Sequence, residues 1–326
     1  MTNFIDFLSR KLPFFIILVG VGTYFSPVIL ETASWVPGFL LGIVISFTGL
    51  SMDIKAIKNI KRKKRELLLA TLLKWTLTVS ISIGLAYLFF FNHTDVAAGF
   101  ILAGTVPSAT SATLYTFLAG GNTSLVIASS LMDIAISPIV TPLSMMGLFH
   151  SQISLSFVDL LQSFMMIVVI PLGAGLMVQR FWPNSKHHSK QITKLGSSLA
   201  LLLNIHILVG SGTNAIRLEP QLIPMIIVAT FIQVIVPMAA SYYIAIKMKI
   251  REEDARAILF QVGLCNTALA AILAFKFIGE LAAIAPIINM IINLSVGSWI
   301  SNYFSKGEAW GKHGGKHGDG SLASND

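Results

Sequence analysis

Apolar runs separated by short polar breaks fall at about 12–30, 35–52, 67–91, 97–119, 124–148, 157–178, 195–212, 222–246, 256–277 and 281–304. A run of roughly 17–25 apolar residues is what an α-helix needs to cross the hydrocarbon of a bilayer. The pattern therefore predicts an all-α polytopic membrane protein with ten transmembrane helices. Arg10 and Lys11 ahead of the first run resemble the start of a signal peptide. The run is too long for such a peptide and no small-residue cleavage site follows it, so it is read as the first span.

Ten spans put both termini on one side, and the basic residues choose the side. With the N-terminus inside, inner segments hold 20 of the 23 Lys and Arg residues. They include the run Lys55, Lys58, Lys61, Arg62, Lys63, Lys64 and Arg65. Arg217 and Lys276 fall outside, and Lys74 lies within a span. Basic residues concentrate in cytoplasmic loops, so both termini are expected in the cytoplasm of a cell-membrane protein. The 55–65 run also offers contacts to anionic membrane lipid.

Composition narrows the classes further. Hydrophobic residues make up 54% of the 326 and charged residues 12%, against about 25% charged in soluble domains. Too few charges remain to cover a soluble surface of this size, which excludes a soluble enzyme. The net charge of +8 records topology rather than a nucleic-acid partner. A single cysteine, Cys265, excludes an internal disulfide and a multi-cysteine metal site. Residues 305–326 are rich in Gly, Ser, Asp and Asn and predict a disordered cytoplasmic tail. Its two Gly-Lys-His-Gly repeats leave a weak metal site at His313 and His317 as the alternative.

A faint repeat links the halves. Leu18-Val19-Gly20-Val21-Gly22 in the first span is similar to Pro171-Leu172-Gly173-Ala174-Gly175 in the sixth, and Ile101-Leu102 opens the fourth span as Ile258-Leu259 opens the ninth. Five spans is an odd number, so two such halves form inverted five-helix repeats. Inverted repeats with interrupted helices at matched places point to secondary transport.

Polar groups at membrane depth cost roughly 2.5–3.5 kcal/mol for a central Lys or Asp, so they mark function. The fourth span carries Thr105, Pro107, Ser108, Thr110, Ser111 and Thr113 at mid-depth. The ninth carries Gln261, Gly263, Cys265, Asn266 and Thr267 in the corresponding place. Pro107 lacks an N–H and clashes with the preceding turn, so a helix break is expected there, with Gly263 at its counterpart. Freed backbone groups are tolerated at that depth only where they line a cavity or meet a solute or ion. Hydroxyls and amides beside a break can hold a cation, and half-helix N-termini attract an anion. For one span the alternative is a Pro kink with Ser and Thr smoothing its packing. Two at matched places favour a binding site.

The segments Gly104-Thr105-Val106-Pro107-Ser108-Ala109-Thr110-Ser111-Ala112-Thr113, Thr116 to Asn122, Ser137-Pro138-Ile139-Val140-Thr141-Pro142 and Gln261 to Ala270, followed by Ala274-Phe275-Lys276-Phe277, resemble the bile acid:sodium symporter family. The likeness in length and topology runs over about 12–304. It implies a panel domain from spans within 12–52 and 157–212, and a core domain from spans within 67–148 and 222–304. Broken helices four and nine would cross in that core, with transport by alternating access. The resemblance also exposes departures. Sodium-coupled members carry Glu where this chain has Gln261, Gln where it has Cys265, Ser-Asn at Ala112-Thr113, and Gln at Lys74. Ser130, Asn266 and Thr267 keep ligand character.

Those changes suggest that the Lys74 ammonium stands in for a sodium ion, with Asp133 of span five as its partner, each offsetting the other's desolvation. Protonation of either would couple or gate transport. The alternatives are a static ion pair and direct binding of a substrate carboxylate by Lys74. The expectation is thus a secondary transporter of a small organic anion, bile-acid-like or a short oxo- or hydroxy-carboxylate. It would be proton-coupled or sodium-independent. The alternative is sodium symport through the surviving hydroxyls and backbone carbonyls. A channel or a membrane enzyme is more distant, since no Gly-x-Ser-x-Gly, His-Glu-x-x-His or second intramembrane acid is present. Nothing in the sequence asks for a cofactor or sets an oligomeric state. His206 with Asn204 is read as a hydrogen-bonded structural histidine, with a proton site as the alternative. Glu252, Glu253 and Arg256 are read as helix-start and loop charges, and Cys265 as a small residue packed in apolar surroundings.

Overall fold

The computed structural model describes residues 7, 11–26, 30, 32–52, 63–149, 156–181 and 185–314. Twelve helices account for the regular structure of the described residues, with no strand among them. They are α1 (Leu12–Phe25), α2 (Val36–Ser51), α3 (Lys64–Phe90), α4 (Thr94–Thr105), α5 (Thr110–Leu118) and α6 (Thr123–Phe149). The chain continues through α7 (Phe157–Phe181), α8 (Ser185–Leu218), α9 (Leu222–Lys247), α10 (Glu252–Gly263), α11 (Thr267–Phe277) and α12 (Glu280–Gly314). Six stretches are long and apolar enough to cross a membrane: α3, α7, α9, and parts of α6, α8 and α12. α1, α2, α4 and α11 are shorter apolar helices.

Local chemistry sets the ends. Pro lies in the first turn of α1 and α2, where its missing N–H costs nothing. α1 stops at Phe25 rather than near residue 30, and Ser26 is extended at ψ 138°, because the Pro27 that follows disfavours a helical Ser26. Glu252, Glu253 and Asp254 fill the first turn of α10, where the helix dipole favours negative charge. Gly120 supplies the left-handed residue (φ 67°) after α5, and Gly121 N–H then closes on the Thr116 carbonyl at 2.8 Å, a Schellman-type stop. α12 runs through Gly314, into the segment where the sequence predicts a tail. The rest of that tail, with His317, lies outside the described residues, as do Arg10 and Lys55 to Arg62.

α2 packs against α7 and α8, and α1 against α8, while α4 lies between α3 and α12 and α9 lies against α10 and α12. Small residues allow close contact. A Cβ at Gly49 would stand 2.6 Å from the Leu172 carbonyl, and one at Gly99 1.9 Å from that of Ala282. Two apolar clusters result. α4 and α11 bury in one and α5 and α10 in the other, so the two interrupted spans change partners at the seam between them.

Candidate functional site

At that seam the breaks expected in spans four and nine are both present, and each completes the other. α4 ends at Thr105 and α5 begins at Thr110, with Val106 and Ala109 extended. α10 ends at Gly263 and α11 begins at Thr267. Ala109 N–H donates to the Leu264 carbonyl (2.8 Å) and Asn266 N–H to that of Pro107 (2.8 Å), an antiparallel bridge between Ser108 and Cys265. Backbone groups freed by the breaks thus satisfy one another at membrane depth, where an unmet group costs several kcal/mol. Gly263 stands at the break, where α10 ends and Leu264 turns extended. It is the last residue of α10, and its bare Cα lets that helix close on α9, since a Cβ would meet Met238 Cγ at 1.9 Å. Gly104 meets Ser82 of α3 in the same way.

One side of the crossing is dry and charged. Lys74 and Asp133 are both 0% exposed. Lys74 opens a wide helical turn, Lys74–Thr78, in α3, a local rearrangement that recurs at functional positions. The Asp133 carboxylate is heavily solvated by the protein. Trp75 Nε1 donates to Oδ1 at 3.0 Å, while Ser108 Oγ (2.7 Å) and Gln261 Nε2 (2.8 Å) donate to Oδ2. Ser108 Oγ also lies 2.6 Å from the Gln261 carbonyl, so its one proton serves two acceptors. Ser130 Oγ donates to Gln261 Oε1 at 3.2 Å, which leaves both ends of that amide engaged.

The expected contact pair between Lys74 and Asp133 is not formed. Among the described residues no carboxylate oxygen lies within the 4.0 Å of an ion pair from Lys74. Its ammonium donates instead to Cys265 Sγ at 2.7 Å. Cys265 is packed in the apolar cluster as expected, but its thiol also meets Lys74, and Asn293 Nδ2 holds its carbonyl at 2.9 Å.

The other side of the crossing is hollow. A cavity of about 210 Å³ is lined by Thr110 and Ser111 at the start of α5 and by Asn266 and Thr267 at the start of α11. Cys265 and Asn293 also reach it. Two helix N-termini thus face one space, an arrangement that attracts negative charge. Ser111 Oγ and Asn293 Oδ1 are buried without a hydrogen-bond partner. Asn266 Oδ1 is partly engaged, capping α11 through Leu269 N–H at 3.3 Å. A smaller cavity of about 40 Å³ next to it is lined by Pro107, Thr113 and Ser130. The predicted residues thus gather around one crossing but divide between two faces. Lys74, Asp133 and Gln261 lie on the sealed face, Thr110, Ser111, Asn266 and Thr267 on the hollow one, and Cys265 joins them.

Sequence reasoning missed the polar support behind Lys74. Thr78 Oγ1 donates to the Val262 carbonyl at 2.9 Å, Gln233 Nε2 to Ser82 Oγ at 2.8 Å, and Asn289 Nδ2 to Gln233 Oε1 at 2.7 Å. The amides of Gln233, Asn289 and Asn293 in mid-span were the available signal. His206 Nδ1 meets Thr23 Oγ1 at 2.7 Å. Thr23 gives its own proton to the Val19 carbonyl at 2.7 Å, so Nδ1 carries the hydrogen, as suits a structural histidine.

Comparison with known proteins places this geometry. The profile of the Sodium Bile acid symporter family matches residues 38–219. The chain is 28% identical over 263 residues to the "Uncharacterized sodium-dependent transporter YocS" of Bacillus subtilis (strain 168), covering 77% of this chain and 78% of that protein. It is 22% identical over 254 residues to the "Uncharacterized protein YbaS" of the same organism, covering 76% and 81%. To the "Probable sodium/metabolite cotransporter BASS1, chloroplastic" of Arabidopsis thaliana it is 23% identical, covering 77% and 62%.

Proposed function

The chain belongs to the sodium bile acid symporter family, and from that premise we propose that this multi-pass membrane protein is a secondary carrier of a small organic anion. Its ten spans form two inverted repeats divided into a panel and a core, with both termini in the cytoplasm of a cell-membrane protein. Alternating access exposes the crossing to one side and then the other. The observation that carries this reading is the convergence of two half-helix N-termini on a single cavity beside a buried ammonium. The carboxylate of a short oxo- or hydroxy-acid fits there, because about 210 Å³ is below the roughly 300–1,000 Å³ of pockets for drug-sized ligands.

Coupling follows from the dry face. Sodium-coupled relatives hold a carboxylate at the position of Gln261, and here Asp133 lies one hydrogen bond away from that amide. The negative charge is moved rather than lost. An amide is needed at 261, because two carboxylates at 2.8 Å cannot both be ionised. The Lys74 ammonium supplies the positive charge in place of a sodium ion. With one sulfur acceptor, it keeps donor capacity for water or substrate, and transfer of its proton couples transport.

A second reading is sodium symport, favoured by the names of two relatives and by the hydroxyls of Thr113 and Ser130 in the smaller cavity. Counterflow in sodium-free proteoliposomes separates them. Preloading with 4-methyl-2-oxopentanoate is expected to drive transient uptake of the labelled acid, and an inward proton gradient to increase it. Uptake only with Na⁺ present selects the second reading. No counterflow of this acid or of cholate, with or without Na⁺, overturns the carrier.

A further inference from the structure

A cavity larger than the one at the crossing lies elsewhere in the described residues. It holds about 700 Å³ between α2, α7 and the C-terminal end of α11, at the end of the bundle away from the Lys63–Asp254 contact. In the topology above this is the outer mouth. Its walls are largely apolar, with Trp35, Phe39, Met166 and Phe277 prominent. Two charged side chains line it, Lys276 and Asp159.

Lys276 closes α11, whose first residues line the binding cavity. Eleven residues at 1.5 Å each make that helix about 16 Å long, so one rigid element carries the mouth cation at one end and an anion-attracting N-terminus at the other. A lysine in a last turn also complements the helix dipole, but that role needs no cavity and no partner on another helix. Lys276 Nζ donates to Ser163 Oγ of α7 at 2.9 Å and lies 5.0 Å from the Phe277 ring centroid. Among the described residues no carboxylate lies within the 4.0 Å of an ion pair from it. Asp159, one turn before Ser163 on α7, leaves its charge free of Lys276.

We propose that this mouth is an entry subsite for a monocarboxylate with an apolar body. Lys276 and Ser163 hold the carboxylate, the aromatic wall takes the apolar body, and Asp159 disfavours a second negative charge. The subsite rests on the reading of the protein as an organic-anion carrier and narrows its substrate class. A fixed cation in a low-dielectric mouth raises the local concentration of anions, so its effect falls on capture more than on translocation.

The test uses the full-length protein in nanodiscs and the fluorescence change that Trp35→Phe removes. Three probes of related size are titrated: 4-methyl-2-oxopentanoate, its uncharged methyl ester, and the dianion 2-oxoglutarate. Wild type is expected to bind the monoanion at least several-fold more tightly than the dianion. Lys276→Met should weaken the monoanion about tenfold, equivalent to about 1.4 kcal/mol, and leave the ester within about twofold. Lys276→Arg should retain binding, and Asp159→Asn should narrow the gap between monoanion and dianion. Equal effects of Lys276→Met on acid and ester, or no Trp35 signal with the acid, overturn the subsite. Trp35 binding without counterflow leaves the subsite standing and rejects the carrier. Counterflow without Trp35 binding does the reverse.

Discussion

Two lysine–aspartate arrangements in this molecule are built differently. At one end of the bundle Lys63 Nζ lies 2.7 Å from each carboxylate oxygen of Asp254 and 3.3 Å from Glu253. Asn122 Nδ2 adds a second donor to Asp254 at 2.7 Å. The contact ties the start of α3 to the α5–α6 connection and to α10. At the crossing, Lys74 and Asp133 are more deeply buried but do not touch, and each spends its hydrogen bonds elsewhere. A structural ion pair is satisfied by contact. The charges at the crossing instead stand apart, Asp133 held by Trp75, Ser108 and Gln261 and Lys74 by the thiol of Cys265.

That contrast predicts opposite consequences for loss of charge. The largest effect on stability is expected at the structural pair. Lys63→Met leaves Asp254 buried at 1% exposure without its cation and should cost about 3 kcal/mol, measured by denaturation in detergent, with pH dependence of uptake retained. Next is Trp75→Phe, which removes a donor to the Asp133 carboxylate. A hydrogen bond to a charged group contributes roughly 1.5–3 kcal/mol, and the same denaturation series should show a loss in that range. The smallest stability change is expected at Lys74→Gln, less than about 1 kcal/mol, because Asp133 keeps its donors from Trp75, Ser108 and Gln261 and an amide costs less to bury than an ammonium. Its effect should fall on coupling: an imposed pH gradient no longer drives uptake, while counterflow of the labelled acid persists. If Lys74→Gln destabilises as Lys63→Met does and keeps proton-driven uptake, the two arrangements are alike and the static ion pair is the right description.

Much of this was legible in the sequence, for identifiable reasons. Pro107 reads as a break because a missing N–H and a ring clash are local facts, and mid-membrane Ser, Thr and Asn stand out against an apolar background. The helical stretches followed from run length. What local chemistry could not supply was direction. Lys74 and Asp133 are the two clear intramembrane charges and invite pairing, but the ammonium meets Cys265 instead. Gly263 reads as a helix break in one dimension and is also a close contact with Met238 in three. The apolar context read for Cys265 holds in its packing, but the polar contacts to Lys74 and Asn293, 191 and 28 residues away in sequence, could not be read from its chain neighbours.

The central claim is that an ammonium fixed to α3 occupies the role of a sodium ion. It is tested most directly by the melting temperature of the purified protein, titrated with Na⁺ against choline at constant ionic strength. A ligand confined to the folded state at ten times its dissociation constant adds about 1.4 kcal/mol, enough to resolve. The wild-type midpoint is predicted to be the same in both salts. A saturable, Na⁺-specific rise in the wild type would contradict the account and make sodium symport the mechanism.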